Sequence, residues 1–189
     1  MTKGRLEAFS DAVIAIVMTI MVLELRPPQG HTLVALSQLG PVFLCYLLSF
    51  VYLAIYWNNH HHMLQVAKHV NGAVLWANMF LLFALSLVPF VTAWLGEGSL
   101  SALPVALYGI VLLVSGLAYT VLSITLVKAN GQDSEFAQKL GSDAKGKLSI
   151  LFYSVAIATA FFAPIFSCVI YGLVAVMWFV PDRRFEPAK

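Results

Sequence analysis

An aspartate lies inside an otherwise apolar run. Asp11 follows Ser10 in Arg5-Leu-Glu-Ala-Phe-Ser-Asp-Ala-Val-Ile-Ala-Ile-Val-Met-Thr-Ile-Met-Val-Leu-Glu24. An ionisable group at membrane depth is costly, faces protein or water, and is usually paired. About one and a half turns into a helix, Asp11 has two readings. It is a buried polar node, or an interfacial carboxylate favoured by the positive helix N-terminus. Its partners on offer are Ser10, Arg5 and the polar end of the second apolar run, Trp57-Asn58-Asn59-His60-His61-His62. Adjacent residues of a helix point in different directions, so the three histidines do not converge on one metal ion. His62 and His69 share a face but have no carboxylate or thiol beside them. No structural metal site is expected. Hydrogen bonding between helices fits the cluster better, and a histidine there would make it respond to pH.

The same helix has a second face. At about 100° per residue, Ile16, Thr19, Ile20 and Leu23 fall together, Ala12 and Val13 continue the stripe, and Asp11 lies about 140° from Ile16. Such a stripe is ordinary packing. Carried round an axis by several subunits, it is instead a narrow apolar constriction that gates by dewetting and excludes hydrated ions. Glu24 is either a solvated helix end or one member of a ring that concentrates cations at the outer mouth. In the third apolar run, Asn78 is able to bond to another helix, and Pro89 kinks its own.

These residues need a membrane around them. Of 189 residues, 60% are hydrophobic and 11% charged, and the mean hydropathy is +0.86. A soluble domain is nearer half apolar and a quarter charged. A chain of 20.7 kDa cannot bury that excess, because a small domain hides only about two-thirds of its unfolded surface. The lipid bilayer accepts the rest. The net charge of +2 comes with no basic stripe, which excludes a nucleic-acid partner. Cys45 and Cys168 both lie in apolar runs and read as small hydrophobes. The N-terminus is not a cleavable signal peptide, since Asp11 interrupts its apolar run and no small-residue cleavage site precedes Glu24.

The expected fold is all-α: one polytopic membrane domain, 1–189, with six spans at about 5–25, 35–59, 70–95, 104–127, 148–163 and 165–180. Pro27-Pro28 ends the first, the Asn-His cluster the second, and Gly96-Glu97-Gly98 the third. Pro104 suits the first turn of the fourth. In the polar stretch 129–147, Ser134–Leu140 is a short interfacial helix. The last apolar block, 148–180, would be about 50 Å long as one helix, against a hydrocarbon core of about 30 Å. Ala163-Pro164 at its midpoint favours a hairpin of two short spans; one kinked, tilted helix is the alternative. With both termini cytoplasmic, the inner segments hold Lys3, Arg5, Lys68, Lys128, Lys139, Lys145, Lys147, Arg183, Arg184 and Lys189, and the outer ones only Arg26. That asymmetry is the positive-inside pattern. Trp57, Trp76, Trp94 and Trp178 lie at or near span ends, as in interfacial aromatic belts.

The chain lacks a Thr-Val-Gly-Tyr-Gly filter, a nucleotide-binding motif and a nucleophile–base constellation. It does carry Arg5-x-x-x-Phe9-Ser10-Asp11, followed by Ala15-Ile16-x-x-Thr19 and Val22-Leu23-Glu24. This resembles the signature first helix of the lysosomal potassium channel family, transmembrane protein 175, and a short six-helix chain is similar to its bacterial and archaeal members. Tyr56-Trp57 with His60-His61, and Asn78 with Leu87-Val88-Pro89-Phe90, are similar to further family patterns.

The resemblance implies a homotetramer whose first helices line a central pore that passes potassium in preference to sodium. The narrowest ring would map to Ile16, with Thr19, Ile20 and Leu23 as the next layers outward, and permeating potassium would pass near Ile16 and Thr19. Phe9, Ser10 and Asp11 would pack behind the pore, in a polar network with Arg5, Trp57, His60, His61 and Asn78. The helical wheel places Arg5 nearer the pore stripe, and leaves open which histidine meets Asp11. The expectation is thus a potassium-selective or potassium-preferring cation channel of a prokaryotic plasma membrane. A proton-conducting channel and a non-conducting membrane scaffold are the alternatives. No enzyme and no cofactor are implied; the partners are potassium ions, further copies of the chain and the lipid bilayer.

Overall fold

Nine α-helices make up the described part of a computed structural model, which covers residues 2–97, 100–141 and 143–179, without the side chain of Lys139. Val180, Arg183, Arg184 and Lys189, which close the last expected span and supply inner charges, lie outside the described residues. Helix α1 covers Lys3–Ile20 and runs on as a 3-10 turn, Met21–Glu24. It is followed by α2 (Leu33–Ser37), α3 (Gly40–Val66), α4 (Gly72–Ser86), α5 (Val88–Glu97), α6 (Ala102–Asn130), α7 (Glu135–Leu140), α8 (Ala144–Thr159) and α9 (Pro164–Phe179). Four segments are long and apolar enough to cross a membrane: Lys3–Glu24, Gly40–Val66, Gly72–Glu97 and Ala102–Asn130.

The helices depart from the expected spans in several places. The second helix does not stop at the Asn-His cluster but carries it to Val66. Polar side chains end a hydrophobic span, yet they do not end a helix when they find partners inside the protein, and Asn59 and His60 are buried here. The first residues of that expected span, from 35, form the separate one-turn α2. The third expected span is two helices, broken at Leu87. Pro89 has no N–H to donate to Leu85, so the α-helical ladder fails one turn before it. The block 148–180 resolves into α8 and α9, which pack antiparallel: Trp178 Nε1 donates to Ser149 Oγ at 2.8 Å, and Thr159 and Ser167 hydroxyls meet at 2.9 Å.

Helix α6 is the centre of the packing, touching α4, α5, α7, α8 and α9. Helix α1 lies to one side, against α3, α4 and α5. The core between α3, α6 and α9 is rich in tyrosine, and the phenols of Tyr52, Tyr108 and Tyr171 find partners, as buried hydroxyls generally do. Tyr52 donates to the Tyr171 carbonyl at 2.6 Å, Tyr171 to the Val105 carbonyl at 3.1 Å, and Tyr108 shares a 3.0 Å bond with Ser49. Gly109 makes this packing possible. A Cβ there would overlap the Tyr171 hydroxyl and lie 2.8 Å from Ile157 Cγ1. Gly109→Ala is therefore expected to destabilise the fold by about 1–3 kcal/mol, the cost of overpacking a filled core; thermal unfolding of detergent-solubilised protein measures it.

The helix ends are closed locally. Asn71 Oδ1 accepts from Val74 N and caps α4, which satisfies one of its otherwise orphaned amides. Gly131, at φ 99°, ends α6 in a conformation that glycine adopts without strain.

Candidate pore face and the polar contacts behind it

Helix α1 is divided lengthwise. Leu6, Ser10, Ile14, Val17 and Met21 are buried against the rest of the subunit. These positions recur at spacings of three and four, one face of a helix. The other side is open: Ile16 is 56% exposed, Ile20 43% and Leu23 75%, with Thr19 exposed between them. Thr19 Oγ1 donates to the Ile16 carbonyl at 2.9 Å. Its one proton is thereby used within the helix, and its oxygen keeps acceptor capacity for a cation or water. Glu24 ends the 3-10 turn, exposed, and lines a groove with Ile16, Ile20, Ser86 and Phe90.

Three groups of polar contacts hold the covered side. The first is buried. Ser10 Oγ donates to the Leu6 carbonyl at 2.8 Å and accepts from Asn78 Nδ2 at 2.9 Å. Asn78 Oδ1 lies 2.8 Å from His60 Nε2. A carbonyl oxygen only accepts, so His60 carries its proton on Nε2 in this arrangement. Ser10, Asn78 and His60 are each 0% exposed, and the chain of bonds ties α1 to α4 and α3. His60 Nδ1 is buried with no hydrogen-bond partner among the described residues.

The second group lies at the surface of the subunit. Trp57 Nε1 donates to Asp11 Oδ1 at 3.0 Å, a bond to a charged acceptor and so among the stronger kinds. Trp57 stacks on the His61 ring, 6.0 Å between centroids and 20° between planes. His61 turns away from Asp11 to Glu7, with Nδ1 3.4 Å from Oε1, and its Nε2 meets Gln65 Nε2 at 2.9 Å. The partner of Asp11 is thus the tryptophan, and neither His60 nor His61 bonds to it.

The third group fixes the end of α1. Lys3 Nζ donates to the carbonyls of Gln65 at 3.2 Å and Ala67 at 3.0 Å. These are C-terminal carbonyls of α3, where an ammonium satisfies both hydrogen bonding and the helix dipole. Asn130 then clamps the connection after α3: its Oδ1 accepts from Lys68 N at 2.7 Å and His69 N at 2.9 Å.

The sequence-derived residues therefore separate into sets. Ser10, His60 and Asn78 come together; Asp11 and Trp57 come together; His61 stacks beside them. Phe9 is exposed, on the same side as Ile16, and Arg5 is exposed as well, so neither joins the buried bonds. Glu7, Gln65, Lys3 and Asn130 join these contacts without having stood out in the sequence. Glu7 lies four residues before Asp11, and Gln65 four after His61, so helical spacing alone puts each beside a residue already singled out.

No group of three or more metal-ligating side chains exists among the described residues. What the arrangement offers is a hydrogen-bonded rear face and an exposed, mostly apolar front.

The chain is similar to proteins already known. The family model for the endosomal/lysosomal potassium channel TMEM175 matches residues 5–89. A protein of Chryseobacterium sp. (strain P1-3), named a potassium channel, is 50% identical over 186 residues, 98% of this chain and 97% of that one. The crystal structure of a TMEM175 homolog from Chamaesiphon minutus, described as a lysosomal potassium-selective channel, superposes with a TM-score of 0.83 at 27% identity, covering 95% of this chain and 97% of that chain. The chicken (Gallus gallus) protein, named an endosomal/lysosomal proton channel, is 38% identical over 81 residues, 36% of this chain and 16% of its own length. The chain belongs to the endosomal/lysosomal potassium channel TMEM175 family, a family of membrane ion channels and not of enzymes.

Proposed function

We propose that this chain is one subunit of a potassium-preferring cation channel, with four copies arranged so that the open face of α1 lines a central pathway. Each subunit is a single domain of six spans, the α8–α9 hairpin supplying the last two, with both termini cytoplasmic in a prokaryotic plasma membrane. The observation that carries the reading is the division of α1. Its inner side is bonded to α3 and α4 through Ser10, Asn78 and His60, while Ile16, Ile20 and Leu23 stand exposed on a helix of a membrane protein. The 50% identical relative named a potassium channel supports potassium as the ion.

In this reading Ile16 forms the narrowest ring. An apolar ring of that kind holds water out until it widens, and a hydrated ion waits with it. Thr19 supplies a layer of hydroxyl oxygens one turn outward, and Glu24 raises the local cation concentration at the mouth. Asp11 does not face the pathway. Its carboxylate accepts from Trp57 and serves to fix the angle of α1.

A second reading has protons as the permeant ion, favoured by the proton-channel name of the vertebrate relative. Reconstitution separates the two. Liposomes loaded with potassium are expected to show potassium flux without valinomycin, and a much smaller proton flux when only a pH gradient is applied. Proton flux without potassium flux supports the second reading. No flux of any monovalent cation or proton from folded tetramers rejects both and leaves a scaffold.

A further inference from the structure

We propose that each copy docks on the next through two different flanks of α1: a small-residue flank carrying Ala8, Ala15 and Val22, seated in the groove between α1 and α5 of the neighbouring copy. The inference rests on the reading of the chain as a subunit of a ring-shaped channel, and adds which surfaces make the seam.

Helix α1 has three faces, not two. At about 100° per residue, the buried face lies roughly opposite the gap between two exposed ones. One exposed face is the stripe of Ile16, Ile20 and Leu23. The other lies about 100° round from Ile16 and holds Ala8, Ala15 and Val22, all exposed. On the far side of the stripe is the groove, about 540 Å3, walled by Ile16, Ile20, Ser86, Phe90 and Ala93. Phe90 stands 61% exposed beside it. With the stripe turned to a common axis, the small-residue flank of one copy meets the groove of the next. Unlike surfaces that meet head to tail close into a ring when the rotation between copies closes on itself, as it does when every stripe faces one axis.

Three observations favour a second copy over lipid as the occupant. Alanines on the flank let helix backbones approach closely, which is what drives association where no hydrophobic force acts. At its cytoplasmic end the flank meets the Asp11–Trp57 and Glu7–His61 pairs, only part-covered within the subunit, with Trp57 42% exposed. A carboxylate inside a membrane helix faces protein or water, and a neighbouring copy supplies the cover. Depth also agrees. Copies related by an axis along the membrane normal meet at equal depth. Ala15 lies about 15 Å before Glu24, at about 1.5 Å per α-helical residue and about 2 Å per 3-10 residue, and Ser86, the last residue of α4, about 16 Å before the end of α5.

Disulfide trapping tests this. With Cys45 and Cys168 replaced by alanine, a chain carrying both Ala15→Cys and Ser86→Cys is oxidised in native membranes with copper phenanthroline. A ladder of dimers, trimers and tetramers is expected on a denaturing gel, and at most dimers from either single variant. Val22→Cys with Ala93→Cys, both near the outer end, repeats the test should the first pair misassemble. Tetramers by native mass spectrometry without a ladder from either pair overturn the proposed seam and leave the channel reading intact. Monomers by the same measurement overturn the ring itself.

Discussion

Replacing Ile16 with asparagine is expected to raise potassium current by about tenfold or more, since each 1.36 kcal/mol removed from a barrier is worth about tenfold in rate. The preference for potassium over sodium is expected to weaken at the same time. The barrier at an apolar ring is the cost of wetting it. An amide in each copy hydrogen-bonds water, so the ring stays wet at a diameter where isoleucine would expel it. In the proposed reading, a hydrated sodium ion would then pass a ring that isoleucine keeps closed to it. The substitution is a clean one because Ile16 is 56% exposed in the subunit. Within the subunit a change at such a site usually moves stability by under about 0.5 kcal/mol, so the subunit fold should be kept, and native mass spectrometry checks that the variant still forms tetramers. Bilayer recordings of wild type and variant under potassium–sodium gradients provide the measurement. Unchanged current and reversal potential would place the constriction elsewhere.

Asn78→Ala should have the second largest effect, on stability and not on selectivity. Asn78 is 0% exposed and joins Ser10 Oγ at 2.9 Å to His60 Nε2 at 2.8 Å. Without its amide, Ser10 retains its bond to the Leu6 carbonyl, but His60 loses the partner of its Nε2. A buried group left unpaired costs about 1–3 kcal/mol, and a few tenths to about 1.7 kcal/mol for the lost interhelical bond is the range in membranes. The expected loss is about 2–3 kcal/mol, or roughly 4–12 °C in Tm for a chain of this size. Asn78→Leu restores volume without the bonds, so it should remain as unstable as the alanine variant. A Tm within a degree or two of wild type for both variants would show that the Ser10–Asn78–His60 chain does not hold α1. Ion preference, set in this reading by the opposite face of α1, should persist in whatever fraction stays folded.

The stripe and the buried bonds differ in what specifies them. The split of α1 is legible in its periodicity. Ile16, Thr19, Ile20 and Leu23 share a face because a helix repeats every 3.6 residues, and their exposure in the structure follows from that spacing. Ser10 and Asp11 fall behind the stripe for the same reason. The break at Pro89 is equally local, because a missing N–H acts on its own helix wherever that helix sits.

Pairing is a different matter. Three histidines and two asparagines stand together in sequence, and nothing in that order says which bonds to what. The structure assigns His60 inward to Asn78, eighteen residues away, and His61 outward to Glu7. Successive helical residues diverge by about 100°, so only the positions of α1 and α4 around α3 decide which neighbour each ring meets. The true length of α3 is hidden on the same ground. A polar cluster looks like the end of a span until partners from other helices are seen to satisfy it.

By itself, then, the sequence determined the membrane-helical class, the apolar stripe of α1 and the family motif, since hydropathy, period and local backbone chemistry are properties of one segment. Only the tertiary structure decided that Asp11 belongs to Trp57, that Arg5 and Phe9 stay outside the buried bonds, that Lys3 closes α3, and that α1 carries a third, uncovered face. Each of these depends on a distance between helices far apart in the chain, which no single segment specifies.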